Sequence, residues 1–141
     1  MIYPANILKT VMLFILLAAT PLISRASVQC THLHSHSHDK QLFCLKSNFV
    51  AADMLLNDAY KNLMAKMADV PADRALLKVA QKSWIKFRDD DCTFGAVTHA
   101  GSGNRASIGA MSCKLERTKE RIEQLKNMID CPADYFFCPM N

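Results

Sequence analysis

The apolar residues Leu42, Leu45, Phe49, Ala52, Leu56, Ala59 and Leu63 recur at alternating steps of three and four. An α-helix brings residues so spaced onto one face, whereas a strand switches sides at every residue. A stripe this long is a core stripe. It predicts a first helix beginning near Ser37 or Asp39, either of which can cap it. Val70-Pro71 closes the segment, because the residue before a proline avoids helical backbone angles. The same pattern returns in Ile108, Met111, Leu115, Thr118, Ile122, Leu125 and Ile129, which predict a last helix starting near Asn104 to Ser107. The outer face of that helix mixes both charge signs between Lys114 and Lys126, as a solvated face does.

Between these two lies a second helix. Pro71 suits its first turn and Asp73 its positive end. It carries Ala80-Gln81-Lys82-Ser83-Trp84-Ile85-Lys86-Phe87-Arg88-Asp89-Asp90-Asp91-Cys92, with the only tryptophan of the chain. Leu77, Ala80, Trp84 and Phe87 share one side and are expected to face the core. The helix is expected to end near Cys92 or Phe94, which leaves Asp89, Asp90 and Asp91 at its negative end, where the dipole disfavours them. Two accounts fit. Arg88 and basic residues of a neighbouring helix, Arg117 or Arg121 among them, neutralise the triplet, or it is an acidic patch for a partner. Gly95 to Ser107 (GAVTHAGSGNRAS) is expected to be the one real loop, exposing His99 and Arg105 for contact. The GSGN piece has neither a preceding strand nor a following Gly-Lys-Ser/Thr, so it is no phosphate cradle.

The chain has 141 residues, enough for one domain. Lys9, the apolar run Val11 to Ala19, and Ser24-Arg25-Ala26 have the form of an export signal cleaved after Ala26. Pro21 interrupts a run already too short for a membrane span. Gln29 is too bulky to precede a lipid-modified Cys30, so no lasting membrane anchor is expected. Without residues 1–26 the charge is +2, from 15 basic and 13 acidic residues. So balanced a chain lacks the basic surface that nucleic-acid binding requires. All six cysteines, Cys30, Cys44, Cys92, Cys113, Cys131 and Cys138, fall in the exported part and read as a disulfide framework.

His32, His34, His36 and His38 alternate with other residues. In an extended chain they point the same way and suit zinc, copper or nickel. As a solvated leader they bind no metal, and no carboxylate or cysteine nearby completes a familiar ligand spacing. At the other end, Cys131 and Cys138 bracket Pro132, Tyr135, Phe136 and Phe137, which suggests a small hook. Ser83-Trp84-Ile85-Lys86 matches S-x-x-K but has no S-D-N or K-T-G partner. Consecutive aspartates on a helix cannot face each other across a sugar. No catalytic constellation is present, and the chain is expected not to be an enzyme.

Cys44, Ala52-Asp53, Leu56-Asn57 and Tyr60 follow the pattern C…AD..LN..Y. Joined to the Ala80–Cys92 run, Cys113, Arg117-Thr118, Arg121 and Leu125, they make residues 30–125 resemble the LprI-like lysozyme inhibitor domain. This is a family of small secreted or periplasmic bacterial proteins. The resemblance implies a compact disulfide-held helical domain that binds and inhibits a lysozyme. It also orders the cysteines as Cys30–Cys44, Cys92–Cys113 and Cys131–Cys138. The histidine tract and the hook depart from the family pattern. Asp53, Asn57 and Tyr60 share one side of the first helix and, with Trp84 and Arg88, are expected to form an interhelical cluster in which Asp53 pairs with Arg88.

The expected fold is therefore all-α, a small disulfide-stapled bundle of three main helices with a Gly-rich loop between the second and third. It divides into a signal peptide (1–26), a His-rich leader (27–39), a helical domain (40–130) and a hook (131–141). The expected function is a periplasmic or secreted inhibitor of a lysozyme-type muramidase. Metal handling by the histidine tract and a non-inhibitory envelope role are the alternatives, and the oligomeric state is left open.

Overall fold

The computed structural model describes residue 30 and residues 37–131. The signal peptide, His32, His34, His36 and Cys138 lie outside the described residues. Those described form three helices: α1 (His38–Lys66), α2 (Pro71–Ala100) and α3 (Asn104–Asp130).

Helix α1 starts where the sequence places it. The Ser37 carbonyl accepts from the backbone N–H groups of Lys40 at 3.0 Å and Gln41 at 3.3 Å, without help from the Ser37 side chain. It ends at Lys66, and a short turn carries the chain to Pro71 in the first turn of α2. The Lys66 ammonium donates to the carbonyls of Ile129 and, at 3.2 Å, of Cys131. That contact joins the C-terminal ends of α1 and α3, so these two helices run parallel, with α2 antiparallel to both. Helix α3 packs against both of the others.

The predicted stripes of α1 and α3 meet in the core. Leu45, Ala52, Leu56, Ala59 and Leu63 from α1 bury against Leu115, Ile122 and Leu125 from α3, with Leu77 from α2 and Cys30 at the margins. Leu63 and Leu125 are entirely inaccessible to solvent. Cys30–Cys44 and Cys92–Cys113 are disulfide-bonded, with Cα atoms 5.9 and 5.5 Å apart. Cys131 is also disulfide-bonded.

Two expectations for α2 are corrected. The helix does not stop near Cys92 or Phe94, and the loop expected over Gly95–Ser107 shrinks to three residues, 101–103. Gly95 is helical, and the Thr98 hydroxyl donates back to the Phe94 carbonyl at 2.9 Å, which keeps its polar group satisfied within the helix. Asp89, Asp90 and Asp91 therefore lie inside the helix, with more than two turns beyond them, where the dipole penalty does not act. The second correction concerns the inward face, which is Leu77, Gln81, Trp84, Arg88 and Cys92. Ala80 and Phe87 are exposed, Phe87 by 58%. The polar partners available to Arg88 and Gln81 decide this rotation, as described below.

The turn itself depends on glycine. Gly101 (φ 74°) and Gly103 (φ 82°) adopt backbone angles that residues with a Cβ rarely reach. The Gly101 N–H donates to the Val97 carbonyl at 3.0 Å, closing α2, and the Gly103 carbonyl accepts from Ser107 N–H at 3.1 Å, opening α3. A Cβ at Gly95, Gly101 or Gly103 would meet no atom within 4 Å, so only backbone preference distinguishes the three. Gly103→Ala is expected to lower stability by about 1–3 kcal/mol. Gly95→Ala, in a helix interior, is expected to raise it by about 0.5–1 kcal/mol. Urea unfolding of the two variants reads both signs.

Candidate functional site

Arg88 leaves α2 pointing into the bundle and is only 5% exposed. Its Nη1 donates to Thr118 Oγ1 of α3 at 3.0 Å and to Asp53 Oδ1 of α1 at 3.4 Å. Its Nε donates to Asp89 Oδ1 at 3.0 Å. Thr118, fully buried, donates in turn to the Lys114 carbonyl at 2.7 Å. The guanidinium carbon lies 5.0 Å from the Phe49 ring centroid and 5.3 Å from that of Trp84. Both are cation–π distances. One side chain thus ties the three helices together.

A second guanidinium approaches the same tryptophan. Arg121 of α3, also buried, lies 5.7 Å from the Trp84 ring. Its Nε donates to Gln81 Oε1 and its Nη1 to Gln124 Oε1, both at 3.1 Å. Burial pushes its pKa below the ordinary arginine value. Two neutral amide oxygens and an aromatic face thus stand beside this charge in place of a carboxylate.

Asp53, Trp84 and Arg88 come together in this cluster. Asn57 joins its edge, donating to Asp53 Oδ2 at 3.4 Å. Tyr60 instead packs against the apolar core. Phe49, Gln81, Thr118 and Arg121 complete the arrangement. The i, i+3 spacing of Thr118 and Arg121 along the core side of α3 was the available signal for two of them.

The acidic triplet is compensated residue by residue. Asp89 has Arg88 and, at 3.5 Å, Lys114; Asp90 has Lys86; Asp91 has Arg117 at 3.5 Å. The Asp90 carboxylate raises the Lys86 pKa above its ordinary value, through the hydrogen bond first and the charge second. Arg121 is not among the partners of the triplet. The aspartates thus present a mixed-charge surface.

His99 and Arg105 flank the 101–103 turn, one in the last turn of α2 and one in the first of α3. Both are exposed, as are residues 101–104 between them. The Cys92–Cys113 bond ties the two helices together below this turn. His38, exposed at the start of α1, belongs to the histidine tract whose other members lie outside the described residues. Among the described residues no three His, Cys, Asp or Glu side chains group as a metal site.

A family model described as lysozyme inhibitor LprI matches residues 30–125. The match takes in the first cysteine, all of α1 and α2, and α3 as far as the fully buried Leu125. The chain belongs to the LprI family. That family is one of inhibitor domains rather than enzymes. The chain is also similar to an uncharacterized protein of Rhizobium meliloti (strain 1021), 30% identical over 98 residues that cover 62% of this chain and 70% of the relative. No solved structure matches it. No described helix is long and apolar enough to cross a membrane.

The cluster geometry in this LprI-family chain predicts a graded loss of stability. Arg88→Ala is expected to cost about 3 kcal/mol, since it removes the guanidinium that Asp53, Asp89 and Thr118 share and opens space among the three helices. Arg88→Lys keeps the charge but not the fork that serves Asp53, Thr118 and Asp89 together, and is expected to cost about 1–2 kcal/mol. Asp90→Asn, at an exposed pair, is expected to stay within about 0.5 kcal/mol of the parent. Thermal and urea unfolding followed by helical circular dichroism give this order.

Proposed function

We infer that the chain is an exported binding protein that inhibits a lysozyme-type muramidase, acting in the periplasm or outside the cell. The observation that carries this reading is the family match, which extends through the three helices that make up the fold. Two described disulfides suit an oxidising compartment beyond the cytoplasm.

Within that reading, the inhibitory contact falls on the α2–α3 turn rather than on the aspartates. Each aspartate already has a cationic neighbour in its own chain, so the triplet offers little net field to steer a cationic enzyme. The turn offers exposed His99 and Arg105 on a short, glycine-shaped connection fastened by Cys92–Cys113. A prefixed element loses little conformational entropy on docking. Muramidases work with two carboxylates in a cleft, and an arginine beside such a turn matches a carboxylate in charge and in shape.

The test is hydrolysis of cell-wall substrate by lysozymes of different classes, titrated with the oxidised mature chain. Stoichiometric inhibition of at least one class is expected. Arg105→Ala is expected to weaken it about tenfold or more, equivalent to about 1.4 kcal/mol of binding. Asp90→Asn is expected to leave it within about twofold. Full activity of every lysozyme class at saturating protein would overturn the inhibitor reading. Inhibition indifferent to Arg105 but lost with Asp90 would return the contact to the aspartates.

A further inference from the structure

Of the two buried guanidiniums, that of Arg88 has Asp53 and Asp89 beside it, whereas that of Arg121 has no carboxylate. The Arg121 Nε and Nη1 donate to the side-chain oxygens of Gln81 and Gln124, and its Nη2 makes no hydrogen bond. A guanidinium only donates, so both carboxamides turn their oxygens toward it and keep their amino groups for another acceptor. The Nε2 groups of Gln81 and Gln124 likewise make no hydrogen bond. Among the described residues no solvent-excluded side-chain nitrogen or oxygen lacks a partner. These three nitrogens therefore reach solvent, although Gln81 and Arg121 are each only 6% exposed. What is left open around this one positive charge is donors alone, with the Trp84 ring 5.7 Å away.

We propose that Arg121, with Gln81 and Gln124, binds the carboxylate of a small organic acid. Burial already lowers the Arg121 pKa, because the charge has given up water without gaining an opposite charge. An incoming carboxylate supplies that charge, and hydrogen bonds between ionised groups are about twice as strong as neutral ones. The Gln81 and Gln124 amino groups add donors beside it. One uncompensated positive charge is matched by one negative charge, which favours a carboxylate over a phosphate dianion. The narrow access selects for size. Side chains as buried as Gln81 and Arg121 are reached by a group on a thin stem, not by the face of a folded protein. The site is separate from the 101–103 turn, and it stands whether or not the chain inhibits a lysozyme.

Trp84 is the only tryptophan, so its fluorescence reports on this site without a label. Sodium acetate, titrated into the oxidised mature chain at constant ionic strength, is expected to change that fluorescence saturably, with a midpoint on the order of millimolar. The urea midpoint is expected to rise in parallel, because the anion binds the folded chain. Acetamide, of similar shape but uncharged, is expected to do neither. Gln124→Glu places a carboxylate beside Arg121 within the chain, and is expected to keep the fold and weaken acetate binding at least about tenfold. Arg121→Gln is expected to abolish binding, while Lys126→Gln, exposed on the same helix, is expected to leave it within about twofold. A wild-type chain whose fluorescence and urea midpoint ignore acetate would overturn the proposal. So would an equal response to acetamide, tighter binding of inorganic phosphate than of acetate, or acetate binding that Gln124→Glu leaves intact.

Discussion

Arg88 is the one group that touches all three helices by name: Asp53 on α1, Asp89 on its own helix and Thr118 on α3. Its importance follows from the poverty of apolar burial on α2. Leu77 and the disulfide-bonded Cys92 are the only apolar side chains that α2 buries fully, whereas α1 buries five and α3 four. Burial of apolar surface is non-directional and holds α1 to α3. The attachment of α2 rests instead on directional contacts, a guanidinium fork, an arginine–glutamine pair and a disulfide. Each of these fixes rotation and register as well as adhesion.

That division explains an otherwise odd choice. The outward face of α2, with two phenylalanines, two valines and a leucine, is more apolar than the face it buries. Hydrophobicity alone would turn the helix around. Turning it would break the Cys92–Cys113 link and carry Gln81 away from Arg121, leaving that buried guanidinium without its α2 partner. An unmet buried polar group costs about 1–3 kcal/mol, comparable to burying one more large apolar side chain. Several such losses together outweigh the gain.

The same competition marks where the sequence could and could not be read. Helix α3 carries one long apolar stripe, and that of α1 runs well beyond its exposed Phe43, Val50 and Met54, so the longest period names the buried face of both. Helix α2 carries two candidate faces, and spacing alone cannot choose between them. Trp84 lies near the border of both, which drew Ala80 and Phe87 into the expected core. The helix boundary failed for a related reason. Gly95 looks like a breaker in isolation, yet a single helical glycine costs only about 1 kcal/mol relative to alanine. The break comes where two glycines can take positive φ, at 101 and 103. The disulfide pairing was legible only through the family resemblance, because six cysteines admit fifteen pairings on arithmetic alone. The Asp53–Arg88 contact was within reach of helical spacing, whereas Gln81 carried no such signal, since its residue type does not announce itself as the buried partner of Arg121.

The placement of the turn bears on how a bundle of this kind can act on another protein. Because α1 and α3 run parallel, the 101–103 connection sits at the end of the bundle where α1 begins, near the Cys30–Cys44 bond. The glycine-shaped turn and the Cys30–Cys44 bond lie toward one end of the molecule, while at the other Lys66 meets the last carbonyls of α3 and Cys131 is itself disulfide-bonded. The Cys92–Cys113 bond behind the turn limits how far α2 and α3 can splay there. An inhibitor that fills a cleft gains most from stiffness at its point of entry, since every rotatable segment frozen on binding subtracts from affinity. The acidic triplet, about three turns of helix further back and compensated by Lys86, Arg88, Lys114 and Arg117, is better placed to hold α2 against α3 than to meet an enzyme.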